Sequence, residues 1–99
     1  MTSSRLHAVL FTKEGCLPCE LTKVKLLDVI TENMGLNETI SVLQKENHSA
    51  LVEAYQLKLY PTLLIVGPNG LEQERIVGGK KIREILEEKL IHIYRENQL

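Results

Sequence analysis

The chain has no tryptophan, only two cysteines, and no long apolar run. Each shortage narrows what the protein can be. Without a stretch of about 18 apolar residues there is no candidate membrane-spanning helix. The N-terminal residues Met1-Thr2-Ser3-Ser4-Arg5 lead directly into a strand pattern and lack the apolar core of a secretory signal. Cytoplasmic residence is therefore expected, in a compartment where thiols are kept reduced. A formal net charge of −1 offers no electrostatic case for nucleic acid or an anionic membrane. The one basic doublet, Lys80-Lys81, reads as a solvated helix start. Ninety-nine residues suffice for one domain, residues 1–99, with residues 1–4 expected to be flexible. An apolar fraction of 43% with 25% charged residues suits a folded protein rather than a disordered one. Repeats, linkers and low-complexity tracts are absent.

Both cysteines fall in one stretch, Phe11-Thr12-Lys13-Glu14-Gly15-Cys16-Leu17-Pro18-Cys19-Glu20. They are two residues apart, after the apolar run Ala8-Val9-Leu10-Phe11 and before a helical pattern. C-x-x-C at a strand-to-helix junction reads as a redox motif. In a reducing compartment it is a reversible redox pair or half of a metal site. A permanent staple around so small a loop is the weakest of the three readings.

Leu6 to Thr12 is almost continuously apolar, as in a central strand covered on both faces. His7 within it reads as a strand-start histidine facing solvent or a satisfying neighbour. Pro18 fits the first turn of a helix, where its missing N–H is harmless. Leu21, Val24, Leu27, Ile30 and Met34 then form an apolar stripe ending near Gly35, a natural helix stop. Leu17, Leu26 and Val29 lie off this stripe. Thr39 to Leu43 alternates as a second strand. Asn47 or Ser49 can cap a short helix from about His48 to Gln56, with Leu51, Ala54 and Tyr55 inward. Residues 62–66 read as a buried strand, with Pro61 at its tolerated start. Gly67-Pro68-Asn69-Gly70 is a tight turn. Leu71 to Val77 returns as a polar, edge-like strand, which Gly78-Gly79 breaks. Ile82, Ile85, Leu86, Leu90, Ile93 and Tyr94 mark a last amphipathic helix from about Lys80 to Arg95. The order is βαβαββα. Its βαβ half implies parallel pairing through a right-handed crossover, and the whole implies an α/β fold with helices on both faces of a four-stranded mixed sheet.

The cysteine pair after the first strand, the proline opening the third and the glycine pair before the last helix together resemble the thioredoxin/glutaredoxin superfamily over nearly the whole chain. The resemblance implies the thioredoxin fold. Ala54 to Leu63 is similar to the helix, loop and cis-proline strand of thioredoxins, and Cys16-Leu17-Pro18-Cys19 keeps their proline before the second cysteine. Phe11 to Cys16 is more similar to the approach of a dithiol glutaredoxin site, and the chain starts at the first core strand, as glutaredoxins do. Three departures stand out. Gly15 replaces the tryptophan usual before the first cysteine. Leu10 occupies the position of the buried acid that moves a proton toward the second cysteine, leaving that role unfilled or passing it to water, Glu14 or Glu20. Lys80 and Lys81 stand where glutaredoxins hold the amine of glutathione with an acidic residue.

The resemblance implies a dithiol electron carrier in which Cys16 is the nucleophile and Cys19 the resolving thiol. Cys16 would sit ahead of the first helical turn, where unpaired N–H groups and the helix dipole favour a thiolate. Lys13 would add a positive charge. A spacing of three brings the two sulfurs together on one helix face. Leu17 and Pro18 would tune the couple toward a reducing potential, near about −270 mV for thioredoxin. In such proteins a cis Pro61 lies beside the cysteines and the backbone before it pairs with the bound substrate. Tyr60, Pro61 and Thr62 would line that site, with Gly78 and Gly79 as another part of its rim. No bound cofactor is implied. Electrons would come from NADPH or ferredoxin through thioredoxin reductase, or from glutathione. Acceptors would be disulfide-containing proteins, ribonucleotide reductase among the candidates, and the carrier a monomer.

Three other readings compete. One is a glutathione-reduced glutaredoxin. Another is a metal site, for which His7, His48 and His92 are too widely spaced to complete a tetrahedral set with the cysteines. The third is a docking or accessory module that keeps the fold but not the chemistry as its main role.

Overall fold

A computed structural model describes residues 5–99; residues 1–4, the expected flexible start, lie outside the described residues. Four strands and three α-helices follow the expected order: β1 His7–Thr12, α1 Leu17–Glu32, β2 Ile40–Gln44, α2 Ser49–Ala54, β3 Thr62–Val66, β4 Glu72–Val77 and α3 Gly79–Asn97. Short 3-10 turns at Leu36–Thr39 and Lys45–Asn47 flank β2. The sheet order is β2-β1-β3-β4. β1 pairs parallel with β2 and antiparallel with β3, and β3 pairs antiparallel with β4.

Because side chains alternate across a strand, the two central strands feed two cores. Ala8, Leu10, Leu63 and Ile65 point to one face, where Leu26 and Val29 of α1 and Ile82, Leu86, Leu90 and Ile93 of α3 cover them. Phe11, Leu64 and Val66 point to the other, where Val52, Tyr55, Leu57 and Tyr60 close the layer. The edge strand β4 buries only Ile76 and is otherwise exposed, as its polar sequence predicts. It carries one ion pair within the strand, Arg75 to Glu72 at 2.8 Å, and one to α3, Glu74 to Lys89 at 2.9 Å. Such pairs contribute about 0–1 kcal/mol each. Two stronger ties run between chain positions 91 residues apart. Leu6 N–H donates to Asn97 Oδ1 at 2.8 Å, and Asn97 Nδ2 donates to the Leu6 carbonyl at 3.0 Å.

The structure corrects the rotation of α1. The expected inward stripe of Leu21, Val24, Leu27 and Met34 is exposed, and only Ile30 of that set packs against the core. The buried line is Cys19, Thr22, Leu26 and Val29. Both lines have helical spacing, so periodicity alone does not choose between them. Packing against the sheet and α3 does, where Leu26 and Val29 meet Leu10, Leu63, Leu86 and Leu90. The helix also stops earlier than Gly35. Asn33 caps it, with its backbone N–H on the Val29 carbonyl, and Gly35 opens the following 3-10 turn. That turn absorbs Thr39, whose hydroxyl donates to the Leu36 carbonyl at 2.6 Å, so β2 begins one residue late. In α2, Leu51 and Ala54 face outward while Val52 and Tyr55 pack inward. Neither Asn47 nor Ser49 caps α2; His48 occupies the cap position without a side-chain bond. His7 meets its expected neighbour, with Nε2 2.8 Å from Ser41 Oγ.

Two measurements check these placements. Leu26→Ala removes a side chain only 6% exposed and should lower stability by about 2–5 kcal/mol. Leu27→Lys changes one that is 60% exposed and should stay within about 0.5 kcal/mol of the parent in urea unfolding. The reverse ranking would overturn the helix rotation. For His7, burial lowers the pKa below its ordinary 6.5. Between the folded and unfolded values the unfolded chain then binds more protons, so stability rises with pH there. The parent should lose stability relative to His7→Asn as pH falls below about 6.5. Parallel pH profiles for the two proteins would contradict this.

Candidate active site

β1 ends at Thr12, and a short loop carries the chain to Cys16, which takes the cap position of α1 with extended backbone angles (φ −119°, ψ 103°). Its carbonyl accepts the first helical bond, from Glu20 N–H at 3.1 Å. Its sulfur accepts the N–H of Cys19 at 3.2 Å, the place a serine or aspartate oxygen fills in an ordinary N-cap. A sulfur that meets one of the free helix donors is well placed to carry negative charge. Cys16 and Cys19 are disulfide-bonded with Cα atoms 5.2 Å apart. Their surroundings differ in the way the sequence suggests: Cys16 retains 5% exposure and Cys19 none. Leu17 between them is 68% exposed. It starts the outward apolar line of Leu21, Val24 and Leu27 along α1.

Sheet register gathers the other expected residues at the same end of the molecule. Phe11 pairs with Thr62 and Thr62 with Val77, so Thr12, Pro61 and Gly78 follow one another across three strands. The Tyr60–Pro61 peptide is cis, as the resemblance implies. Gly78 N–H donates to the Pro61 carbonyl at 3.0 Å. Gly78 has φ 105°, a conformation open to glycine and strained for other residues. Gly79 is constrained by contact instead: a Cβ there would lie 3.0 Å from Pro18 Cβ and 3.2 Å from the Pro18 carbonyl oxygen. The glycine pair thus joins the proline loop to the first turn of the cysteine helix. Thr62 is buried, and its hydroxyl donates to the Leu59 carbonyl at 2.6 Å, bracing the loop from within.

Tyr60 stands beside this loop with Lys45 Nζ 5.5 Å from its ring centroid, a cation–π arrangement. Its hydroxyl is buried and meets no hydrogen-bond partner among the described residues. Burial, then the charge of Glu46, raises its pKa above the ordinary 10. Glu46 itself accepts the N–H of Glu14 at 3.4 Å. Desolvation would raise the Glu46 pKa, but its own backbone N–H, that of Glu14, Gln44 and the charge of Lys45 together bring it below the ordinary value.

Other expected residues take less part. Lys13 is exposed, and no hydrogen bond or ion pair among the described residues ties it to the cysteines. Leu10 is fully buried in the core, so no carboxylate replaces it from that position. Glu20 is paired with Lys23 at 2.9 Å and Glu14 is exposed, so neither is engaged with Cys19. Lys80 and Lys81 are exposed. Among the described residues no three His, Cys, Asp or Glu side chains gather as a metal set. No helix among them is long and apolar enough to cross a membrane.

Two participants have no motif of their own. Thr22 is fully buried and donates its hydroxyl to the Pro18 carbonyl at 2.7 Å. Arg83 reaches the same carbonyl from α3, at 3.5 Å. Arg83 falls one helical turn after Gly79, on the side of α3 that meets α1, which only the docked helices reveal.

No family model matches the sequence, and no curated protein matches it. Solved structures do. Thioredoxin from Trypanosoma brucei brucei superposes with a TM-score of 0.69 at 22% identity, over 96% of this chain and 80% of that one. Thioredoxin from Fasciola hepatica gives 0.68 at 21%, over 96% and 83%. The germline-specific thioredoxin Deadhead of Drosophila melanogaster gives 0.68 at 16%, over 93% and 98%. The chain has the thioredoxin fold. Within it the Cys16–Cys19 pair occupies the start of the first helix, as expected for a thioredoxin-like site.

The orphan hydroxyl of Tyr60 yields a test. A buried polar group without a partner is destabilising by about 1–3 kcal/mol. Tyr60→Phe should therefore leave stability unchanged or raise it by about 1 kcal/mol, read from the urea midpoint. A clear loss would show that the hydroxyl has a partner.

Proposed function

We propose that this protein is a thiol–disulfide oxidoreductase that reduces protein disulfides in the manner of a thioredoxin. The observation that carries the reading is the asymmetry of the pair: Cys16 at the helix start with Cys19 N–H on its sulfur, and Cys19 fully buried one turn in. In the reduced protein the Cys16 thiolate attacks a substrate disulfide. One new S–S bond forms, the substrate's own breaks, and the departing substrate thiolate takes up a proton. Cys19, losing its proton, then attacks the Cys16 sulfur. The Cys16–Cys19 bond forms as the bond to substrate breaks, and the second substrate thiol is released. Two electrons and two protons pass to the substrate.

The substrate site includes the exposed Leu17, Pro18 and Lys13 together with the Tyr60-Pro61-Thr62 loop and the Gly78-Gly79 rim, of which Pro61, Thr62 and Gly79 are buried and shape the site from beneath. The backbone of Tyr60 pairs with the extended substrate segment. Thioredoxin reductase fed by NADPH, or a ferredoxin-linked reductase, restores the dithiol, and disulfide enzymes such as ribonucleotide reductase accept from it. The protein acts as a monomer in the reducing cytoplasm. Reduction by glutathione is a second reading, favoured by the glutaredoxin-like approach Phe11 to Cys16. The exposed Lys80 and Lys81, where an acidic residue would hold the glutathione amine, count against it.

Cys19→Ser should accumulate a mixed disulfide between Cys16 and substrate, seen by non-reducing electrophoresis and mass spectrometry. Free release of reduced substrate from that variant would sink the resolving role. In parallel assays of NADPH consumption, turnover is expected with thioredoxin reductase and not with glutathione plus its reductase. Turnover with glutathione alone would move the protein to the second reading.

A further inference from the structure

One charged side chain from another element reaches the first turn of α1. Arg83 Nη1 lies 3.5 Å from the Pro18 carbonyl oxygen and 3.4 Å from Thr22 Oγ1. Thr22 donates its hydroxyl to the same oxygen at 2.7 Å. That carbonyl belongs to the peptide unit joining Pro18 to Cys19. The N–H of the same unit donates to Cys16 Sγ at 3.2 Å. Donors acting on an amide oxygen draw charge through the amide and strengthen its N–H, because linked hydrogen bonds polarise one another. Guanidinium and hydroxyl, carbonyl, amide and sulfur therefore form one connected line, and it ends on the atom that attacks substrate.

We propose that Arg83 is a positioning residue for Cys16, holding and polarising the Pro18–Cys19 peptide so that its N–H favours a negatively charged sulfur. The assignment rests on the reading of Cys16 as the nucleophile. At 3.4–3.5 Å both Arg83 contacts are long, so the charge matters more than bond directionality; the contact to Thr22 is part-buried while that to the Pro18 carbonyl is exposed, and solvent there weakens it. Gly79 makes the approach possible, since a Cβ there would stand 2.8 Å from Arg83 Nη1. The remaining charges near this end are Lys13 and Glu14 on the loop, Glu20 held by Lys23, Lys80 and Lys81 at the start of α3, and Lys45 and Glu46 before α2. None of these side chains is hydrogen-bonded to residues 16–19 among the described residues.

The test is the pH profile of Cys16 alkylation by iodoacetamide in the reduced protein, with thiolate absorbance alongside. Parent, Arg83→Met, Arg83→Lys and Thr22→Val are compared, and melting curves report the fold. Arg83→Met should shift the profile upward and cut the thiolate fraction at pH 6.5 by about threefold to tenfold, equivalent to half to one pH unit. Arg83→Lys should recover more than half of that loss, and Thr22→Val should give a smaller shift of the same sign. A low parent value unmoved by Arg83→Met overturns the assignment alone. Equal shifts in Met and Lys variants, with matching losses in melting temperature, also overturn it by reducing the contact to packing. A parent value at or above that of free cysteine would sink the oxidoreductase reading together with it.

Discussion

Cys19 is buried on α1 while Cys16, three residues earlier, keeps only 5% exposure, and the packing of the other elements turns on that placement. Rotating α1 to bury Cys19 also buries Thr22, Leu26 and Val29. It leaves Leu17, Leu21, Val24 and Leu27 facing outward. An isolated helix with apolar residues on two sides has no strong preference for either. The choice is made by the sheet and α3, which present Leu10, Leu63, Leu86 and Leu90 to the cysteine side.

The second consequence is the hub around Pro18. Its ring fills the space that a Gly79 side chain would need, and its carbonyl collects the Thr22 hydroxyl and the Arg83 guanidinium. Gly78 meanwhile bonds back to Pro61. Three segments distant in sequence are thereby fixed against one another by small residues and backbone groups. Apart from Arg83, this close backbone approach does not depend on long side chains finding their rotamers, so ordering it sacrifices little side-chain entropy.

Much of this was legible in the sequence. The element order, the mixed sheet, the buried third strand and the polar edge all follow from runs, alternation and turn residues. The cysteine pair announced itself by being the only two cysteines in the chain. Other points were not legible, for stated physical reasons. The two stripes of α1 share one period, so their phase depends on tertiary contacts. In α2, Leu51 and Val52 are adjacent apolar residues on a helix of six residues, too short for periodicity to rank them. Tyr60 offers no outward sign that its hydroxyl is stranded. Arg83 resembles any solvent-facing arginine until α3 is docked on α1.

The pair of hydrogen bonds between Leu6 and Asn97 sits at the start of β1 and the end of α3. Both elements run between that point and the cysteine end, and α3, with 19 residues, covers about 28 Å. Leu6 and Asn97 therefore lie together at the pole opposite the disulfide. The fold is in effect a ring nearly closed by two hydrogen bonds. A peptide bridging Leu6 and Asn97, with the chain opened instead at the Pro68-Asn69 turn, would leave the cysteine end unobstructed.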